Sequence, residues 1–147
     1  MLTDSLWNFT GASPGQAITG SAASTNYVDN GALGVPALSS NTPGRDLGKG
    51  EKISLLIQVT ETFATLTSLK VAIQGDSDSA FGTVVTVLES EAIAAASLTA
   101  GYRFAGFDHI PRLFTYRYLR LYFTVAGSNA TAGKIFATAS MGNQDGF

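Results

Sequence analysis

There is no cysteine anywhere in the 147 residues, which removes disulfide staples and thiolate metal sites together and leaves a hydrophobic core to stabilise the fold. Histidine is almost as scarce. His109 is the one copy, so a metal site built from several imidazoles is excluded by count. Lys, Arg, Asp and Glu make up 14% of the chain and the net charge is -2, without the basic excess of a nucleic-acid binder. No apolar run approaches the ~18 residues of a membrane span. The opening Met1 to Thr10 carries an acid, no base and no apolar stretch, unlike a secretory leader. Direct contact with nucleic acid or membrane is therefore not expected, and neither is secretion.

What the chain does have is alternation. From Arg117 to Val125 polar and apolar residues change places with a period of two, which places Leu119, Leu121, Phe123 and Val125 on one side of a strand. The other side carries Tyr116, Tyr118, Arg120, Tyr122 and Thr124. Tyr and Arg are enriched in protein interfaces because each joins a large contact area to a hydrogen-bonding tip. Ile53, Leu55, Ile57 and Val59 form a second one-sided strand, and Leu69, Val71 and Ile73 a third, with a turn expected through Glu61 to Thr65. Further strands are expected at Phe81 to Leu88, Gly101 to Phe107 and Ala132 to Ser140, the last after a turn at Ala126 to Asn129. Glu89 to Ala100 is open between a helical turn capped by Ser90 and continued strand. Seven or eight strands separated by turn residues read as an all-β, antiparallel sandwich.

The first 50 residues are different in texture. Gly, Ser, Ala, Asn and Pro dominate, with short apolar islands at Leu6 to Phe9, Ala17 to Thr19 and Asn26 to Val28. They read as an extended N-terminal arm and loop (1–50) with short strands, attached to a β-sandwich body (51–147) in one domain overall. So sparse an apolar content predicts that the arm and the Gly31 to Gly50 loop take much of their order from another chain. Trp7 is the arm's strongest candidate for an interface anchor.

Sequence motifs for catalysis fail on chemistry. Gly11-Ala12-Ser13-Pro14-Gly15 has the spacing of a hydrolase nucleophile elbow, but the residue after the serine must supply an oxyanion-binding N–H and Pro14 has none. Asp76 and Asp78 have alternate carboxylate spacing without the glycine and distal glutamate of a calcium loop. They read as a solvated turn, with a weak surface ion as the alternative. Asn8 and Asn129 stand in formal glycosylation triplets, without consequence in a chain that is not secreted. No glycine-rich phosphate loop is present. No catalytic residue, cofactor or metal is expected, and no enzyme.

Several segments together resemble the capsid cement, or head-decoration, proteins of tailed phages. They are Gln16 to Thr19, Ala22 to Asn26, Arg45 to Glu51, Leu56 to Glu61, Ala100 to Phe104 and Tyr118 to Val125. The resemblance implies a jelly-roll-like sandwich on the outer surface of a virion capsid, made in the host cytoplasm and tying major capsid subunits together without catalysis. A small homo-oligomer, a dimer first, is the expected assembly. Trp7, Tyr118, Arg120 and Tyr122 are the candidate interface residues. The competing class is a carbohydrate-binding module with Tyr116, Tyr118 and Tyr122 as a stacking platform.

Overall fold

The computed structural model describes residues 3–34, 44–47, 49–50 and 52–140. Half of the Gly31 to Gly50 loop, residues 35–43 and 48, and the residues after Ser140 lie outside them. The described residues form an all-β structure with one antiparallel sheet, compatible with a jelly roll, and no α-helix. Its strands are β1 (Thr3–Asn8), β2 (Gln16–Ala17), β3 (Ala22–Ala23), β4 (Val28–Asp29), β5 (Ser54–Asp76), β6 (Val85–Glu89), β7 (Ile93–Ala94) and β8 (Tyr118–Ser140).

Two of these organise the rest. β5 and β8 are each 23 residues long and pair antiparallel from Ser54↔Ser140 to Asp76↔Tyr118. A straight ribbon of that length would span about 75 Å, whereas a compact chain of this size is roughly 40 Å across. The ribbon must therefore bend. It does so where the register slips four times, between Val59 and Ser68. On the facing strand, Leu66 pairs with Gly127 while Ala64 pairs with Ala132, so residues 128–131 stand out of the ladder. Bulges of this kind bend a strand and increase its twist. Positive φ at Thr65, Gly127 and Gly133 (72°, 83° and 133°) supplies the irregular backbone. The Thr65 hydroxyl fixes the bend by bonding the Asn129 carbonyl at 2.8 Å and the Thr131 N–H at 3.0 Å.

These bulges correct the sequence reading at two places. Glu61 to Thr65 and Ala126 to Asn129 are not turns between separate strands but irregularities inside continuous ones. Turn chemistry and bulge chemistry use the same residues, so sequence pattern alone does not separate them. Three smaller differences follow the same lines. The strand expected from Phe81 begins at Val85. Gly101 to Phe107 makes one bridge, Arg103 to Gln58, and then a single 3-10 turn at Ala105–Phe107. The open segment contains β7 followed by a 3-10 turn at Ala95–Ser97, preceded by Ala94 without a side-chain cap.

The N-terminal arm runs beside β8 as an interrupted third strand. β1 pairs near Thr138 and Ser140, β2 at Ile135 and Lys134, β3 at Phe123 and Tyr122, and β4 at Leu119 and Tyr118. Where low apolar content suggests order borrowed from another chain, the arm is stitched to its own. Phe9, Ile18 and Val28 are buried in the same hydrophobic cluster as the two long strands. The Asn26 N–H donates to the Phe9 carbonyl at 2.9 Å and its amide group to the Asn8 carbonyl at 3.1 Å. Since β1 and β4 flank opposite ends of β8, those bonds show the ribbon folded back until its ends meet.

Leu55, Ile57, Leu69, Val71, Ile73, Leu119, Leu121 and Phe123 are buried, as their phase on the strands predicts, and Ile53 and Val125 pack half-buried against them. Gly15 and Gly133 are forced choices. Both have positive φ, and an added Cβ would strike the Ile135 backbone in the first case and the Phe63 ring in the second. Gly11 also has positive φ but opens on empty space. Gly11→Ala should therefore cost about 1–2 kcal/mol, the left-handed penalty alone. Gly15→Ala and Gly133→Ala should each cost about 3 kcal/mol, with the clash added. Urea unfolding of the three variants checks the order; equal midpoints for Gly11→Ala and Gly15→Ala would remove the close approach from the account.

Candidate functional site

The outer face of the ribbon near the start of β8 collects aromatic rings and guanidinium groups from three parts of the chain. Tyr118 and Arg120 come from β8 itself. Tyr27 precedes β4, and Phe81 comes from the loop after β5. The three rings meet edge to face, with centroids 5.7 Å apart for Tyr27 and Phe81, 5.7 Å for Tyr27 and Tyr118, and 6.4 Å for Phe81 and Tyr118. Such contacts hold side chains in place beyond the effect of their buried area. Tyr27 nonetheless remains 49% exposed. Tyr122 lies beyond Arg120, whose guanidinium carbon is 5.9 Å from its ring.

The two arginines are held differently. Arg117 makes a two-pronged pair with Asp29, at 2.7 Å from Nε and 2.8 Å from a terminal nitrogen, and lies 5.0 Å over the Tyr118 ring. The Arg117 hydrogen bonds hold the Asp29 carboxyl below the usual carboxylate range, and Asp29 in turn raises the guanidinium. Arg120 sits opposite Gln74 in the ladder and donates Nε to its side-chain oxygen at 2.9 Å. Its guanidinium carbon is 4.3 Å from the centre of Phe81, a cation–π distance.

Phe81 has a positive φ of 52°, a backbone state that a phenylalanine holds only when its surroundings fix it. Asp76 provides the fixing. Its buried carboxylate accepts from the N–H of Asp78 at 3.0 Å, the N–H of Thr83 at 2.8 Å and the Thr83 hydroxyl at 3.3 Å. Asp78 accepts in turn from Ala80 N–H, and its carbonyl from Phe81 N–H. The Asp-Ser-Asp sequence is thus a loop scaffold. Asp76 is surrounded by donors, the environment of a structural anion, and its carboxyl is held below the ordinary range mainly by the Asp78 N–H bond.

The expected anchors are not all brought together. Tyr118, Arg120 and Tyr122 share the patch; Trp7 packs half-buried against the hydrophobic core, while its neighbour Leu6 is 83% exposed. Tyr116 leaves the alternation because β8 starts only at Tyr118. Its ring lies against Gly75 and 5.7 Å from Phe114, on the core side. Tyr27 and Phe81 were missed by sequence reasoning. Their only local signals are a tyrosine in an apolar island and a phenylalanine after a turn, and neither says that both meet Tyr118.

Elsewhere, Ser13 is exposed in a turn closed by Gly15 N–H on the Ala12 carbonyl, with a cis Ser13–Pro14 bond. No hydrogen bond joins Ser13 to His109, whose Nδ1 is 2.5 Å from Asp108. Among the described residues no group of three or more His, Cys, Asp or Glu is placed to hold a metal ion, and no helix is long and apolar enough to cross a membrane.

Against known proteins, the family model described as Bbp16 matches residues 12–139, a span that contains every member of the patch. No curated protein matches the chain.

Asp29, Asp76 and Glu61, which pairs with Lys134 at 2.5 Å, all have lowered carboxyl values. A group whose folded value is depressed stabilises the fold above its unfolded value, and that contribution disappears as pH falls through the folded one. The thermal midpoint should hold steady from neutrality down and decline below about pH 4, where unfolded carboxyls begin to protonate. Asp76→Asn should start from a lower midpoint at neutral pH and decline less steeply. A parent midpoint that rises on acidification would contradict the direction.

Proposed function

The chain belongs to the Bbp16 family, and we propose that it serves as a structural, non-enzymatic capsid cement protein, bridging major capsid subunits on the outside of a phage shell. The observation that carries this reading is the patch of Tyr27, Phe81, Arg117, Tyr118, Arg120 and Tyr122 on the paired β5–β8 ribbon. Aromatic and arginine side chains supply most of the energy at protein interfaces, above all when they are held in place before binding. The segments that resemble cement proteins support the same reading. Gln16 and Ala17 pair with the far arm of β8, and Ala22 and Ala23 with the Tyr118 to Val125 stretch. Four of the six resembling segments, those at Gln16, Ala22, Leu56 and Tyr118, thus lie on the ribbon or beside it.

A shell under internal pressure fails by parting its subunits, so a clamp across them helps by adding area that rupture must re-expose. An interface of about 1,600 Å² is enough for a specific contact, and many copies on one lattice multiply modest affinities. A dimer on a two-fold axis is the proposed assembly. Sugar stacking fits the patch less well. It needs open ring faces, whereas guanidinium groups lie over Tyr118 and Phe81, and Tyr116 is on the core side.

Purified protein should co-sediment with bare capsids. Tyr27→Ala and Phe81→Ala should each weaken that association about tenfold or more, as hot-spot truncations do, and Tyr118, Arg120 and Tyr122 replaced together by Ala should abolish it while leaving the β-sheet spectrum intact. If the triple variant binds shells like the parent, the patch is not the contact; if the parent binds oligosaccharide as a free monomer and never shells, the carbohydrate class takes its place.

A further inference from the structure

Arg120 is a cation of this sheet face that has no carboxylate bonded to it among the described residues. Lys70 reaches Glu89 at 3.1 Å, Lys134 reaches Glu61 at 2.5 Å, and Arg117 has both oxygens of Asp29. Among the described residues the hydrogen-bond partner of Arg120 is the neutral side chain of Gln74, engaged through Nε, and its guanidinium carbon lies over the Phe81 ring. Arg120 is half-buried as a residue, and its ring and amide neighbours replace part of its hydration without an anion in exchange. An arginine with its Nε and one face engaged still offers its two terminal nitrogens, the edge that binds a carboxylate in parallel hydrogen bonds. Phe81, which the guanidinium covers, also touches Tyr27 and Tyr118, and Tyr122 lies 5.9 Å from the guanidinium carbon.

We infer that this patch is a receptor for a protein segment that presents a carboxylate beside an aromatic or aliphatic side chain, the carboxylate pairing with the outer edge of Arg120 and the apolar group covering Tyr27 and Tyr118. Asp29 has a part in this selectivity. By taking both prongs of Arg117 it leaves the outer edge of Arg120 as the open guanidinium edge beside Tyr118. The identity of the partner rests on the capsid reading, but the chemistry of the receptor does not, and the two can fail separately.

The test uses full-length protein labelled with 15N-arginine, with the Arg120 Nε–H resonance assigned through Arg120→Lys. Three probes are titrated: N-acetyl-phenylalanine as the free carboxylate, its primary amide, and inorganic phosphate. The expected result is a saturable shift with the carboxylate, little with the amide or phosphate, a weaker response in Tyr118→Ala, and an unaltered one in Lys70→Gln. Equal responses to carboxylate and amide overturn the inference, and a tighter response to phosphate reassigns the site to a phosphorylated ligand. On bare capsids, Arg120→Gln should lose most of the binding that the parent shows, and the remainder should lose its sensitivity to salt. Binding of Arg120→Gln equal to the parent's would sink the carboxylate receptor and leave the capsid reading standing. A parent that shows the carboxylate shift but ignores capsids would do the reverse.

Discussion

Antiparallel pairing of β5 with β8 is the constraint on which the rest of the structure depends. It is the one contact that extends through the whole body, and every other strand attaches to one of its two edges. The arm's four short strands satisfy the outer edge of β8, while β6, β7 and the bridges at Arg103 and His109 line β5. A ribbon that stayed straight would leave one broad apolar face in water. Bending it between Val59 and Ser68 turns that face inward on itself, and so a core forms from two strands and their edges. Gly127, Gly133 and Thr65 matter for this reason. They occupy the corner.

The same bend determines what faces out. On the arm of the ribbon that begins β8, residues alternate between the core set Leu119, Leu121 and Phe123 and the outer set Tyr118, Arg120 and Tyr122. A loop braced by the buried Asp76 carboxylate then adds Phe81, and the arm adds Tyr27. Contacts within the chain position each of these rings. Pre-positioned aromatic and arginine groups lose little freedom on docking, which is the condition under which a small patch can carry an interface.

Much of the fold was legible because β-strands write their burial into a period of two. That signal located the core positions from Leu55 to Ile57, from Leu69 to Ile73 and from Leu119 to Phe123. It failed at 61–65 and 126–129, where threonine, glycine and asparagine marked bulges in a continuous strand rather than its end. It also failed by one step at Tyr116, which precedes the first residue of β8 and so escapes the alternation. The arm was hard to read for another reason: its strands are two to six residues long and owe their form to hydrogen bonds with β8. Of the candidate anchors, three stand together and Trp7 is on the core. Tyr27 and Phe81 lie 91 and 37 positions from Tyr118 in the sequence, and contacts of that range leave no trace in local pattern.

If this ribbon meets the capsid through the end where β8 begins, that end lies against the shell in decorated particles. A density map of capsids decorated with the protein tests it most directly, because it reports which face of the sheet lies against the shell. The account predicts Tyr27, Phe81, Tyr118 and Arg120 at the contact, with an acidic side chain of a capsid subunit at the outer edge of Arg120. A map in which that patch faces solvent, with the bulged corner or the β6 edge turned to the shell, would contradict it.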